Sequence, residues 1–183
     1  MATRFELQLE DLHVQLITMG SLCEKAISLS AQAVQGQAED YAPQVFETDK
    51  IIDSKEREIE NHCMSLLLHH HPVARDLREI SAALKMVSDM ERIGDQAADI
   101  ADLSVYIEKT FADTMPGIGR MADITVRMVT ESIDAFVKSD LELCRKVIQD
   151  DDLVDDEFNQ VKDKLAELIY GGNLEARTGL DLL

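Results

Sequence analysis

The chain has 183 residues, with 36 acidic and 18 basic side chains and a formal net charge of −18 at pH 7. A charge of this sign gives almost no electrostatic support to a role in binding the phosphate backbone of nucleic acids. It favours cation binding or a partner with a basic surface. Apolar residues make up 45% of the sequence, whereas glycine and proline occur 8 and 3 times. Such a composition predicts a helix-rich protein with a sizeable core.

The three cysteines, Cys23, Cys63 and Cys144, are odd in number and far apart in the sequence. Each lies at an apolar-periodic position, which predicts buried free thiols and not a disulfide framework. No segment has the length and hydropathy of a transmembrane span, and no signal peptide is visible. We therefore expect a cytoplasmic protein.

Apolar residues recur every three or four positions through most of the chain, which is typical of amphipathic helices packed in a bundle. Breaks are predicted at Gly36, at the His-His-His-Pro run of 69–72, at Met115-Pro116-Gly117 and at Gly171-Gly172. After Ser139, Asp140 is predicted to cap the N-terminus of the fifth helix. We expect six helices, at about 5–35, 40–68, 73–111, 117–138, 141–170 and from about 174 onward.

The first half of the chain resembles the second half when it is shifted by 102 residues. Val45, Asp49, Asp53, Leu66, Ala74 and Arg75 then coincide with Val147, Asp151, Asp155, Leu168, Ala176 and Arg177. Most apolar positions follow the same register. The repeat predicts two tandem three-helix bundles, at residues 1–113 and 117–183.

The second repeat has no counterpart of the acidic run at 89–99, because the sequence stops at Leu183 in an apolar stretch without a helix C-cap. We expect most of the sixth helix to be missing. Helices four and five would then expose an apolar stripe, which favours self-association, most simply as a homodimer. The stripe comprises Ile124, Met128, Phe136, Val147, Leu153, Val161 and Leu165.

Two pairs of acids one helical turn apart are the candidate metal ligands: Asp49 with Asp53, and Glu91 with Asp95. The first pair lies 18–22 residues before the turn near residue 71, and the second pair lies 20–24 residues after it. Both helices rise by about 1.5 Å per residue, so antiparallel packing brings the pairs to nearly the same height. Four converging carboxylates would suit Mg, Mn, Fe or Ca. Asp151 and Asp155 repeat the spacing in the second unit.

The residues considered so far are also consistent with other functions. A carboxylate-bridged metal enzyme or metal-storage protein of the helical-bundle class is one alternative, and a purely structural scaffold is another. Glu10 and His13 have the Glu-x-x-His spacing of di-iron bundles, but such sites need two copies and the chain has one. The acids could also be a solvated helical surface.

Three segments carry a family resemblance. Residues 45–53 (VFETDKIID) contain the first acid pair, residues 72–78 (PVARDLR) form the entry into helix three, and residues 88–95 (SDMERIGD) place Arg-Ile-Gly between Glu91 and Asp95. Together they resemble the PhoU family of phosphate-uptake regulators. Gln96 and Asp99 depart from the family's pattern, in which His and Asn are more usual.

The resemblance implies two side-by-side three-helix bundles that carry Mg, Mn, Fe or similar ions and have no enzymatic activity. It also implies a negative regulator of the phosphate-starvation response. Such a regulator would contact the ATPase of a phosphate ABC transporter and a phosphate-sensing histidine kinase at the inner face of the membrane. The metal ligands would be Asp49, Asp53, Glu91, Asp95, Asp151 and Asp155.

Overall fold

The computed structural model describes residues 3–70, 72–107 and 116–181, and all regular structure in these ranges is helical. The elements are α1 (Arg4–Gln32), a π-helical turn (Ala33–Gln37), α2 (Ala38–His70), α3 (Ala74–Ser104), α4 (Pro116–Lys138), α5 (Leu141–Tyr170) and α6 (Ala176–Asp181). The predicted all-α fold is confirmed. Within these ranges, no helix is both long enough and apolar enough to cross a bilayer.

Helix α1 begins at a capping box and ends in a sharp reversal. The backbone N–H of Thr3 donates to Glu6 Oε2 (2.6 Å), and the N–H of Glu6 donates to Thr3 Oγ1 (3.2 Å). These bonds satisfy N–H groups that the first turn of a helix leaves free. After α1, Gly36 adopts a φ of +89°, a left-handed conformation that favours glycine. The predicted break at Gly36 is confirmed, and α2 returns along α1.

Helix α3 is shorter than predicted. It ends at Ser104, and the backbone N–H groups of Val105, Tyr106 and Ile107 donate to the carbonyl oxygens three residues earlier. This tighter bonding pattern closes the helix in a turn, so the helical prediction for 105–107 is wrong. The remainder of that prediction, at 108–111, lies outside the described residues.

Helices α1, α2 and α3 pack into a bundle around the larger of two cores. Its largest fully buried side chains include Leu12, Leu16, Met19, Ile52, Ile59, Leu66 and Ile80. Helix α1 also contacts α4, and Val129 and Ile133 of α4 belong to the same core. The two predicted repeats are therefore joined through α1. Their boundary between 113 and 117 stays a prediction, because residues 108–115 are outside the described ranges.

Helices α4 and α5 pack against each other and form a smaller core with the segment that follows them. Val161 and Leu165 are buried together with Leu174, which lies just before α6. Val147 is also buried, at 9% exposure. The expectation that these α5 side chains face solvent is wrong, because α4 covers one side of α5 and the chain folds back over its C-terminal end. Of the predicted stripe, Leu153 is exposed, at 44%.

Both ends of α5 lie where the sequence predicts them. The carboxylate of Asp140 accepts hydrogen bonds from the N–H groups of Glu142 and Leu143, both at 3.0 Å, so the predicted N-cap is confirmed. At the other end, Gly172 has a φ of +70° and the N–H of Asn173 donates to the carbonyl of Leu168. This is the glycine-dependent helix stop expected there.

The cysteines are free thiols, as predicted. Cys23 and Cys63 are buried in the main core, whereas Cys144 is only half-buried, so the predicted burial is wrong for that residue. Burial, the largest cause, raises the pKa of the Cys23 thiol to about 12 and that of Cys63 to about 11. Both thiols are therefore protonated and inert at neutral pH.

Candidate metal centre

The α2–α3 interface brings acids from both helices together. Carboxylate oxygens of Asp49, Asp53 and Asp95 all lie within 4.8 Å of one another, close enough for one cation to contact all three residues. Asp49 and Asp53 are one turn apart on α2, and Asp95 approaches them from α3. The predicted match in height between the two helices therefore holds for these three residues.

Gly94 makes the close approach of the two helices possible. A Cβ atom at this position would lie 2.9 Å from Asp49 Oδ1 and 3.0 Å from Ile52 Cδ1. A side chain at this position would therefore have to displace the Asp49 carboxylate and the end of the Ile52 side chain. The missing side chain therefore leaves the space in which the Asp49 carboxylate sits against α3. In the sequence, Gly94 stands out only as part of the segment 88–95.

Asp49 contains an oxygen that lacks a partner. Its Oδ1 atom is buried, and no hydrogen-bond donor among the described residues reaches it. Burial raises the pKa of Asp49 above its ordinary value, and the charges of Asp53, Asp95 and Asp99 raise it further. A buried carboxylate oxygen without a donor is costly, and a bound cation would remove that cost.

Glu91 lies beside the cluster but outside the group of three. It is half-buried, one turn before Asp95. Its pKa is raised, first by burial and then by the charges of Asp95, Glu56, Asp53 and Asp49. Glu91 therefore shares the electrostatic field of the predicted site, although the described geometry does not place it within reach of the same ion as the other three.

Two further acids of this surface, Glu56 and Asp99, are not among the ligands predicted from the sequence. Glu56 follows Asp53 by three residues on α2, and Asp99 follows Asp95 by four residues on α3, so each continues its row of acids by one turn. The pKa of Glu56 is raised as well, first by burial and then by Glu60 and Asp53. The spacing alone could have revealed both residues.

The second predicted pair, Asp151 and Asp155, does not form a comparable group within the described ranges. Both side chains are exposed on α5, and no cluster of three metal-ligating side chains includes them. The neighbouring Asp150 has a different role, because it accepts a salt bridge from Lys146 at 3.0 Å. The ligand role of Asp151 and Asp155 stays a prediction.

The residues present in the first site fit a divalent cation. The donor set consists of carboxylates, one buried oxygen lacks a partner, and glycine keeps the space beside it open. Asp49, Asp53 and Asp95 would hold the ion, which would neutralise repulsion between the two helices. By contrast, His13 of the single Glu-x-x-His sequence bonds Glu79 of α3 at 2.8 Å.

The PhoU domain family model matches residues 16–104 and 118–183. The chain belongs to the PhoU family. A PhoU relative from Clostridium acetobutylicum, named a phosphate-specific transport system accessory protein PhoU homolog, is 35% identical over 167 residues, which are 90% of this chain and 76% of that protein. A relative of the same name from Aquifex aeolicus is 35% identical over 86% of this chain and 72% of its own length.

A solved PhoU structure supports the same assignment. The crystal structure of PhoU from Pseudomonas aeruginosa superimposes with a TM-score of 0.83 and 30% sequence identity. The alignment covers 97% of this chain and 86% of that one. The predicted PhoU-like helical-bundle fold is therefore confirmed.

Proposed function

We propose that this PhoU protein is a non-enzymatic accessory regulator of a phosphate-specific transport system and that it represses the phosphate-starvation response. Family membership carries the proposal, since the PhoU relatives from Clostridium acetobutylicum and Aquifex aeolicus both bear the name of transport system accessory proteins. The matches extend over most of this chain and most of each relative.

Metal binding is the second part of the proposal. Asp49, Asp53 and Asp95 bind a divalent or iron ion, with Glu91 at the edge of the site. The spacing of their oxygens and the unpartnered Asp49 Oδ1 support this assignment. The ion stabilises the α2–α3 interface because it neutralises carboxylates that would otherwise repel one another.

The partners proposed are the ATPase of the phosphate transporter and a phosphate-sensing histidine kinase, which the protein would meet at the cytoplasmic face of the membrane. With 36 acidic against 18 basic residues, the regulator would bind basic patches on these partners. Part of the affinity should then fall as ionic strength rises.

A complementation experiment separates the regulatory role from the metal role. The gene is deleted, and a reporter of a starvation-induced promoter is measured in rich phosphate. We expect the reporter to switch on in the deletion strain and to be repressed again by the wild-type gene but not by the Asp49→Asn, Asp53→Asn double variant. Glu47→Gln is the control, because it alters an exposed acid of α2 that pairs with Lys50.

Each outcome bears on one part of the proposal. A reporter that stays repressed in the deletion strain contradicts the regulatory role. Full repression by the double variant contradicts the requirement for metal and leaves the regulatory role intact.

A further inference from the structure

We infer that two copies of this chain pair through the exposed side of α1, with their two α1 helices antiparallel. Residues spaced by three, four or seven positions share one side of a helix. The exposed set with this spacing, the α1 face, comprises Glu10, Val14, Ile17, Thr18, Ser21 and Lys25. The inference depends neither on the metal site nor on the regulatory role, and it uses a different surface from the stripe on α4 and α5 that the sequence predicts.

The centre of the α1 face is apolar. Val14 and Ile17 are 59% and 44% exposed, whereas the opposite side of α1 supplies fully buried side chains to the main core. Thr18 and Ser21 donate their hydroxyl hydrogens to the backbone carbonyl oxygens of Val14 and Ile17, at 2.8 and 3.2 Å. Each hydroxyl donor is thus satisfied within the helix, and the four side chains together present a surface of low polarity.

The acids next to this centre are turned toward the neighbouring helices. Asp11 Oδ2 lies 3.7 Å from Nδ1 of His62 on α2, and Glu24 accepts a hydrogen bond from Thr130 of α4 at 2.6 Å. Residues 12–23 contain no Asp, Glu, Lys or Arg, although 30% of the chain is charged. A surface of this kind suits the core of an interface, from which charged residues are usually depleted.

The charges at the two ends of the α1 face are complementary to those of a second copy. Glu10 lies seven residues before Ile17, and Lys25 lies seven residues after Thr18. Among the described residues, neither has an ion-pair partner within 4.0 Å. A two-fold axis between Ile17 and Thr18 makes the two helices antiparallel and brings each Glu10 opposite Lys25 of the other copy. Self-complementarity of this kind is what a closed dimer requires.

The net charge of −18 favours this face over the other exposed surfaces. Two identical copies that met through an acidic surface would place like charges opposite one another, which opposes association. The carboxylates of Asp49, Asp53 and Asp95 make the α2–α3 surface unsuitable for that reason. Leu153 of the α4–α5 stripe is likewise surrounded in sequence by the exposed acids of 151–156. The α1 face has one acid and one base around an apolar centre and avoids this repulsion.

Sedimentation velocity of the purified chain over a range of concentrations tests the inference. The wild type should form a dimer of twice 20.5 kDa. Ile17→Glu should raise the dissociation constant by more than about tenfold, because it buries an unpaired charge at the centre of the interface. Leu153→Glu is the matched control, since Leu153 has the same 44% exposure but lies on α5. Circular dichroism verifies that each variant is folded.

Charge reversal tests the antiparallel arrangement independently. Glu10→Lys and Lys25→Glu should each weaken the dimer by about three- to tenfold, because each places like charges opposite one another. The combined variant should recover the wild-type dissociation constant. A wild type that stays monomeric at every concentration overturns the inference. A dimer that is weakened by Leu153→Glu but not by Ile17→Glu overturns it as well, because the contact then belongs to the α4–α5 stripe. A combined variant as weak as the single ones overturns the antiparallel arrangement.

Discussion

Ile133 of α4 occupies the space that a side chain at Gly20 of α1 would need. A Cβ atom at residue 20 would lie 2.1 Å from Ile133 Cδ1, and Ile133 is itself buried, at 5% exposure. The contact joins the two halves of the molecule at the middle of α1. Glycine in a helix costs about 1 kcal/mol of stability relative to alanine. The packing of Ile133 against Gly20 has to offset this cost.

Gly20→Ala should therefore destabilise the protein although alanine is the better helix former. Overpacking of a core costs about 1–3 kcal/mol, which exceeds the gain in helix propensity. Ile133→Val removes the Cδ1 atom and should make Gly20→Ala tolerable, so the two substitutions should show favourable coupling in urea denaturation. Additive effects of the two changes would argue against the contact.

Gly94→Ala should impair both stability and ion binding. A methyl group 2.9 Å from Asp49 Oδ1 would displace that carboxylate and crowd Ile52, which disturbs the arrangement of the three carboxylates. We expect a loss of about 1–3 kcal/mol in the free energy of unfolding without metal and weaker binding of Mn²⁺ in calorimetry. Gly20→Ala serves as the control, because it should affect stability but leave the affinity for Mn²⁺ unchanged.

Ion binding should strengthen as pH rises through the carboxylate range. The pKa values of Asp49 and Glu91 are raised in the folded protein, so between the ordinary and the raised values the folded state binds more protons than the unfolded state. Without metal, the stability contributed by these groups is present at low pH and is lost as pH rises through the raised values. Cations bind the ionised form, so the increase in Tm caused by Mn²⁺ should grow over the same window. An increase that is independent of pH would contradict the assignment.

Helix α5 should exchange its amide hydrogens faster than α2 and α3. The smaller core buries Val161, Leu165 and Leu174, whereas the main core packs three long helices against one another. Hydrogen exchange with mass spectrometry should show lower protection for 141–170 than for 38–70. The measurement should be made over a range of protein concentrations, because self-association would protect α5. Equal protection in the monomer would disprove this expectation.

Much of the architecture was accessible from sequence because it depends on local signals. Gly36, Asp140 and Gly171-Gly172 mark helix ends through backbone conformation and capping, and the structure places helix ends at all three. The end of α3 at Ser104 has no such signal, since the clearest break in the sequence comes later, at Met115-Pro116-Gly117.

The candidate site was predictable in part, because the positions of acids along a helix depend only on local geometry. Equal rise along two antiparallel helices places Asp49, Asp53 and Asp95 at one height, and this follows from counting residues. The space beside Gly94 depends on the distance between the helices, which counting cannot supply. The burial of Val161 likewise depends on a long-range contact, because Leu174 reaches it only after the chain has folded back.

The sharp reversal at Gly36 affects the order in which the protein can fold. It joins α1 to α2 through five residues, so the first helical hairpin forms between neighbours in the sequence at a small loss of chain entropy. The contact between α1 and α4 instead joins distant residues, such as Glu24 and Thr130, which are 106 positions apart. Contacts of long sequence separation form slowly. During synthesis, α1, α2 and α3 can therefore assemble into a bundle before α4 leaves the ribosome.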